Sequence, residues 1–242
     1  MGQNYTQELI RNGIKFITSA DVVESFVKGW SGDKTFCIRR DNQKFFLKVI
    51  YNHLCDFNNF EVYKSLNIKI PKVIEYGNLS DQNAKYYITE FIEGKDLGDA
   101  FKSLSDDFIF QTATLLGTEQ ISLSQLYKPK KASNDDKTKL FTRYDKEMNK
   151  FFPLIDKNKT EINPKFLNYE IYTKLLKIVH KTKESFNDEN VYFCHDDCMP
   201  NNFMIDKENN LWTIDVEGTR YDFFAKKIAW IYSAHVPQAR CP

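Results

Sequence analysis

Three oxygen-bearing side chains within one short block constrain this chain more than any other feature. His195-Asp196-Asp197-Cys198-Met199-Pro200-Asn201-Asn202 reads as H-x-D-x-x-x-x-N, and Ile214-Asp215-Val216-Glu217 follows as I-D-x-E. Apolar runs of strand length alternate with polar turns around these residues. Val191 to Cys194, Phe203 to Ile205 and Leu211 to Ile214 are the runs, and Asp206 to Asn210 is a turn. The pattern predicts an Asp, an Asn and a second Asp on the ends of adjacent short strands. A hard cation takes oxygen donors, so Asn202 and Asp215 can ligate magnesium that bridges nucleotide phosphates. Asp197, on the same loop, can then face the hydroxyl that receives a phosphoryl group.

With Pro200 inside the loop and Ile-Asp-x-Glu downstream, the block resembles the catalytic and metal-binding segments of the aminoglycoside phosphotransferase and choline kinase group. These are small-molecule kinases. The resemblance implies an α+β, two-lobed protein-kinase-like fold: an N-terminal antiparallel sheet lobe with one helix, and a mainly helical C-terminal lobe. It also implies Mg2+ as cofactor and ATP or GTP as cosubstrate, with Asp197 as the catalytic residue.

Upstream residues stand in the order such a site needs. Phe45-Phe46-Leu47-Lys48-Val49-Ile50 is an apolar strand with one basic residue embedded in it. Desolvating an unpaired ammonium is expensive, so Lys48 needs a partner. The kinase reading offers nucleotide phosphates and Glu61, on a helix predicted over 52–66 with Phe57, Phe60 and Leu66 on its buried face. The competing reading is that Lys48 snorkels from an edge strand and Glu61 is solvated. Before that strand, Lys28-Gly29-Trp30-Ser31-Gly32-Asp33-Lys34 is a turn between strand-like Ser25 to Val27 and Thr35 to Ile38. Its glycines let backbone N–H groups approach phosphates, with Ser31 adding a hydroxyl and Gly32 the close approach. Locally, a plain hairpin turn fits as well. The turn resembles the corresponding loop of bacterial family members. Lys85 to Glu93 reads as a strand entering a crossover, where the resemblance implies adenine contacts from the backbone of Glu90 and Ile92.

The strand-rich stretch ends near residue 92, which divides the chain into a nucleotide-binding lobe, 1–92, and a catalytic and acceptor-binding lobe, 93–242. Phe101 to Tyr127 reads as two helices, with Asp106-Asp107 at the start of the second, where negative charge suits the helix dipole. Lys128 to Asp136 reads as a charged surface loop, and 137–152 and 167–186 as further helices.

With 42% hydrophobic and 15% aromatic residues in 242, the chain is globular and long enough for a substantial core. A net charge of +1 provides no basic excess, which argues against nucleic acid or an anionic membrane as the main partner. No apolar run reaches the length of a membrane-spanning helix, and Glu8, Arg11 and Lys15 interrupt the N-terminus where a signal peptide would be apolar. Five cysteines without regular spacing fit reduced thiols, hence a cytoplasmic location. Cys194-His195-x-x-Cys198 could begin a zinc site, but no second ligand pair stands nearby. The expectation is that Cys194 packs as an apolar residue and His195 hydrogen-bonds within the loop.

The expected partner is a small-molecule hydroxyl acceptor, cationic if Asp196, Glu217 and Asp222 line its pocket beside Trp230 and Tyr232. The competing reading makes these loop and core residues. The resemblance implies an antibiotic phosphotransferase or, alternatively, a choline- or ethanolamine-type kinase. It also implies a longer stretch after the metal aspartate than Val216 to Pro242; a naturally short chain, a truncated one or one completed by another molecule all fit, with a shallow acceptor pocket or a nucleotide-binding pseudoenzyme as the alternatives. A protein kinase is disfavoured by the absence of D-F-G and A-P-E segments.

Overall fold

The computed structural model describes residues 5–25, 32–51, 55–80, 83–100, 103–135, 142 and 190–223. The polar pair Asp41-Asn42, between two apolar runs, makes the first hairpin. Asp41 adopts the left-handed φ of 52° that joins β2 (Lys34–Arg40) to β3 (Gln43–Ile50). β1 (Val22–Ser25) pairs with β2, and β5 (Lys85–Glu90) lies between β3 and β4 (Val73–Asn78). The result is an antiparallel sheet in the order β1-β2-β3-β5-β4.

Both faces of this sheet are covered. On one side Leu9 of α1 (Thr6–Arg11), with Ile14 and Ile17, packs on Val23, Ile38, Leu47 and Ile88. On the other, Phe60 and Tyr63 of α2 (Asn58–Ser65) join Ile50, Tyr87, Phe193 and Val216. The last four residues of β3, Leu47 to Ile50, are therefore all buried, and Lys48 is among them.

α2 is shorter than the 52–66 predicted. Asp56 sets its start, accepting a hydrogen bond from Asn58 N at 3.0 Å, and residues 52–54 lie outside those described. Asn67, at φ 56°, ends the helix region. The residues that turn inward are Asn59, Phe60 and Tyr63.

After β5 the chain crosses at 91–93 into a second, three-stranded sheet. Here β6 (Gly94–Asp96) pairs with β9 (Phe203–Asp206), and β9 with β10 (Leu211–Thr213). Gly94 is required by contact, since a Cβ there would sit 2.1 Å from the Ile205 carbonyl oxygen. α3 (Leu97–Ala100) is a single turn and α4 (Asp106–Leu126) one long helix. One helix thus fills most of the span read as two. Ser105 caps α4, its side chain accepting from Phe108 N.

A third sheet joins β7 (Lys130–Lys131), β8 (Asn190–Cys194) and β11 (Arg220–Asp222) in the order β11-β8-β7. Two corrections follow. The charged stretch 128–136 contains a strand, and β8 does not neighbour β9 and β10, so the three oxygen-bearing residues come from two different sheets. The predicted helices 137–152 and 167–186 lie outside the described residues. Among those described, no helix is long and apolar enough to cross a membrane.

Candidate active site

Where β8 ends, the chain turns inward at His195, whose side chain is fully buried. Its backbone N–H donates to Gln120 Oε1 of α4 at 3.2 Å. Asp197 N donates to the ring Nδ1 at 3.1 Å, so Nδ1 carries no proton and Nε2 is the donor to Ile214 O at 3.0 Å. The ring therefore ties the loop after β8 to the segment after β10. Expected simply to bond within its own loop, His195 also spans two sheets.

Pro200–Asn202 forms a 3-10 turn that buries Asn202. Its Nδ2 donates to Asp197 O at 2.9 Å, and its backbone O accepts from Ile214 N at 2.9 Å. With the amide nitrogen committed, Oδ1 is the end left to accept, and Asn201 Nδ2 lies 3.3 Å from it. Asp215 follows β10 with a left-handed φ of 64°, unusual outside glycine and characteristic of functional turns. Asn202 and Asp215 are both hard oxygen donors, the type magnesium prefers. Among the described residues no group of three or more His, Cys, Asp or Glu is arranged for a metal ion. The two side chains are donors of the kind that would hold a magnesium ion.

Lys48 closes the site from β3. Its Nζ donates to Asp215 Oδ1 and, at 2.8 Å, to Glu217 Oε1, with Asp33 Oδ2 at 3.6 Å. Burial works against the ammonium, but the charges of Glu217 and Asp215 outweigh it and raise the Lys48 pKa well above its ordinary range. Burial would raise Asp215 as well, yet the charge and hydrogen bond of Lys48 hold its carboxyl below the usual value. Glu217 is pushed up, first by burial and then by the neighbouring Asp215. Carboxylates outnumber the ammonium here, so the pocket favours further positive charge.

Two carboxylate oxygens of the site, Asp197 Oδ1 and Glu217 Oε2, are buried without a hydrogen-bond partner among the described residues. Burial, then the charge of Asp215, raises the Asp197 pKa, against the lowering influence of His195 and Asn202. A buried acceptor oxygen left open costs free energy unless a ligand supplies a donor.

Lys48, Asp197, Asn202 and Asp215 are thus linked by one chain of contacts. Glu61 is not part of it: its side chain is 75% exposed and pairs with Lys64 at 2.6 Å, because α2 turns Asn59 and Tyr63 inward instead. Glu217, expected at the acceptor, contacts Lys48 Nζ at 2.8 Å beside Asp215. Asp196 is half-buried and paired with Arg220 at 2.8 Å, so its charge is already balanced. Asp222 lies on β11 and accepts from Phe223 N at 2.8 Å. Gly32 is exposed at φ 79°, with nothing within 4 Å of a would-be Cβ, so only its backbone conformation calls for glycine. Ser31, Trp230 and Tyr232 lie outside the described residues. The Glu90 N–H is taken by Lys72 O at 3.0 Å, and Ile92 sits half-buried in the crossover.

Sequence reasoning missed Asp33 and Asn59. Asp33 sits in a polar turn that signals nothing by itself. Asn59 Nδ2 donates to Glu217 O at 3.1 Å and Thr219 O at 3.0 Å, and only the folded helix shows that.

The model of the phosphotransferase enzyme family matches residues 23–241. Among solved structures, the chain is similar to an aminoglycoside-3'-phosphotransferase of type VIII at 18% identity, covering 98% of this chain and 86% of that one with a TM-score of 0.58. It is similar to APH(2")-IIIa, solved with GDP and kanamycin, at 15% identity, covering 97% and 80% with a TM-score of 0.61. It is also similar to the choline kinase LicA from Streptococcus pneumoniae at 18% identity, covering 95% and 74% with a TM-score of 0.57. No match was found among curated proteins. At these identities the likeness is one of fold, the two-lobed α+β architecture of protein-kinase-like phosphotransferases.

Proposed function

Since the chain belongs to the phosphotransferase enzyme family, we propose that it transfers the γ-phosphate of ATP or GTP to a hydroxyl of a small molecule in the cytoplasm. An aminoglycoside-type or other antibiotic is the favoured acceptor. The observation that carries this reading is the Oδ1 of Asp197, buried and without a hydrogen-bond partner among the described residues, beside the Asn202–Asp215–Lys48 group. An acceptor hydroxyl is the donor that this oxygen lacks.

Phosphoryl transfer passes through a loose transition state, so alignment and charge neutralisation dominate over proton removal. Lys48 would hold the phosphates of the nucleotide. Magnesium, held by Asn202 and Asp215, would supply further neutralisation of phosphate charge. Asp197 would accept a hydrogen bond from the acceptor hydroxyl and orient it in line with the γ-phosphorus. Its raised pKa makes it a better proton acceptor than an ordinary carboxylate, which suits a late proton transfer. Asn202 Nδ2 and His195 Nδ1 fix the Asp197 backbone from both sides, so the main chain that carries the carboxylate is held before substrate arrives.

An ADP-release screen with ATP and with GTP tests the reading over aminoglycosides, peptide antibiotics, macrolides, choline, ethanolamine and sugars. Acceptor-dependent turnover with an antibiotic is the expected result. Turnover with choline or ethanolamine alone would move the acceptor class to metabolites. Nucleotide binding without acceptor-dependent turnover anywhere in the panel would overturn the proposal in favour of a pseudoenzyme.

A further inference from the structure

We propose that Glu217, not an acid on α2, positions Lys48 for nucleotide phosphates, and that Asn59 of α2 holds Glu217 in place. The inference rests on the phosphotransferase reading of the site. In kinases the strand lysine pairs with a glutamate of the following helix, and the helix position thereby sets the lysine. Here the one acid on α2, Glu61, points to solvent and pairs with Lys64. The buried helix side chain that faces the site is Asn59.

Chemistry decides between the two residues. Asn59 meets two carbonyl oxygens, those of Glu217 and Thr219, and donates to both from one amide nitrogen. A carboxylate at that position could donate to neither and would face oxygens with its own charge. The inward residue of α2 is therefore suited to hold a turn and unsuited to pair with an ammonium. The turn it holds, Val216–Gly218, carries an acid that pairs with Lys48 beside Asp215, with Glu217 Oε1 2.8 Å from Lys48 Nζ and the side chain only 4% exposed. Two further bonds fasten the turn to the same helix region. Asp56 N donates to Glu217 O at 2.9 Å, and the Tyr63 hydroxyl shares a hydrogen bond with Thr219 Oγ1 at 3.0 Å.

One consequence concerns geometry. The candidate metal ligand Asp215 and Glu217 stand two residues apart on one turn. Lys48 meets both acids directly, so the turn that joins them, with α2 as its support, holds the lysine at two points. Helix and lysine are coupled through the backbone of residues 217–219, and no direct charge pair joins them. Glu217 and Asn59 are positioning residues: the first acts through Lys48, the second through the first.

The test compares affinities for ATP and for adenosine, by calorimetry in the presence of magnesium, in wild type and in Glu217→Gln, Asn59→Asp and Glu61→Gln. GTP and guanosine replace them if the wild type prefers guanine. A residue that orients Lys48 affects only ligands that carry phosphates. Glu217→Gln is expected to weaken ATP binding about 10- to 100-fold, the range for a hydrogen bond to a charged group, and to leave adenosine binding unchanged. Asn59→Asp is expected to shift ATP in the same direction. Should Glu217→Gln fail to fold, Asn59→Asp leaves the Lys48 and Glu217 side chains unchanged in kind and tests the same coupling. Wild-type ATP affinity in the folded variants, or an equal loss for adenosine, would overturn the inference alone. So would a loss in Glu61→Gln as large as that in Glu217→Gln. A wild type that binds neither nucleotide would overturn the proposed function, and this inference with it.

Discussion

Replacing Glu119 by Gln removes a charge that α4 carries into the core beneath β10. Glu119 is 6% exposed, and its Oε2 accepts a hydrogen bond from Thr213 Oγ1 at 2.8 Å. Burial raises its pKa from 4.5 to about 7, only partly offset by the Thr213 bond. The folded protein thus binds a proton here that the unfolded chain has already lost between pH 4.5 and 7. Stability from this group is full below pH 4.5 and falls as pH rises through about 7. At about 1.4 kcal/mol per pH unit, the loss across that window is about 3 kcal/mol. Gln keeps an oxygen for Thr213 and the same shape but does not ionise. Urea unfolding of both proteins from pH 4 to 8 isolates the effect, because all other titrations cancel in the difference. The two should be nearly equal at pH 4, and Glu119→Gln should be more stable by up to about 3 kcal/mol at pH 8. A difference that stays constant across the range would refute the reasoning.

Other outcomes follow from the same contacts. Asp197→Ala should lower turnover about 10²- to 10⁴-fold while the nucleotide dissociation constant changes by no more than about threefold. Equal losses in both would show that Asp197 serves binding rather than transfer. Gly94→Ala drives a methyl into the Ile205 carbonyl oxygen and should cost about 2–3 kcal/mol in a urea melt. An unchanged midpoint would mean that the crossover yields freely.

Lys48 was legible in the sequence because an ammonium inside an apolar strand needs a charged partner unless it snorkels from an edge, and β3 is not an edge strand. The partner was misread for a geometric reason. Hydrophobic spacing placed a buried face on the helix but could not set its rotation. A step of about 100° per residue carries Glu61 away from the direction in which Asn59 points. A polar residue at the inward position is invisible to a reading that looks for apolar periodicity. The Asp-x-Glu spacing did mark Glu217, though toward the acceptor rather than the lysine. The strand runs around 191–214 were plain from alternation and turn residues, whereas the division into two sheets was not. β8 takes its neighbours from β7, two lysines in a polar stretch, and from β11, and such long-range pairings leave no local trace.

That division has a mechanical consequence. The carboxylate that would meet the acceptor hangs from one plate of the structure, and the amide and carboxylate suited to the cation hang from another. Among the described residues, the His195 imidazole and the Asn202 amide help to rivet the plates together. A change in packing under either plate can slide one group past the other with both plates intact. Reaction rates fall about a hundredfold for roughly an ångström of misplacement. Substitutions far from the reacting atoms, along α4 or beneath β7, therefore have leverage over speed that their effect on folding would not reveal.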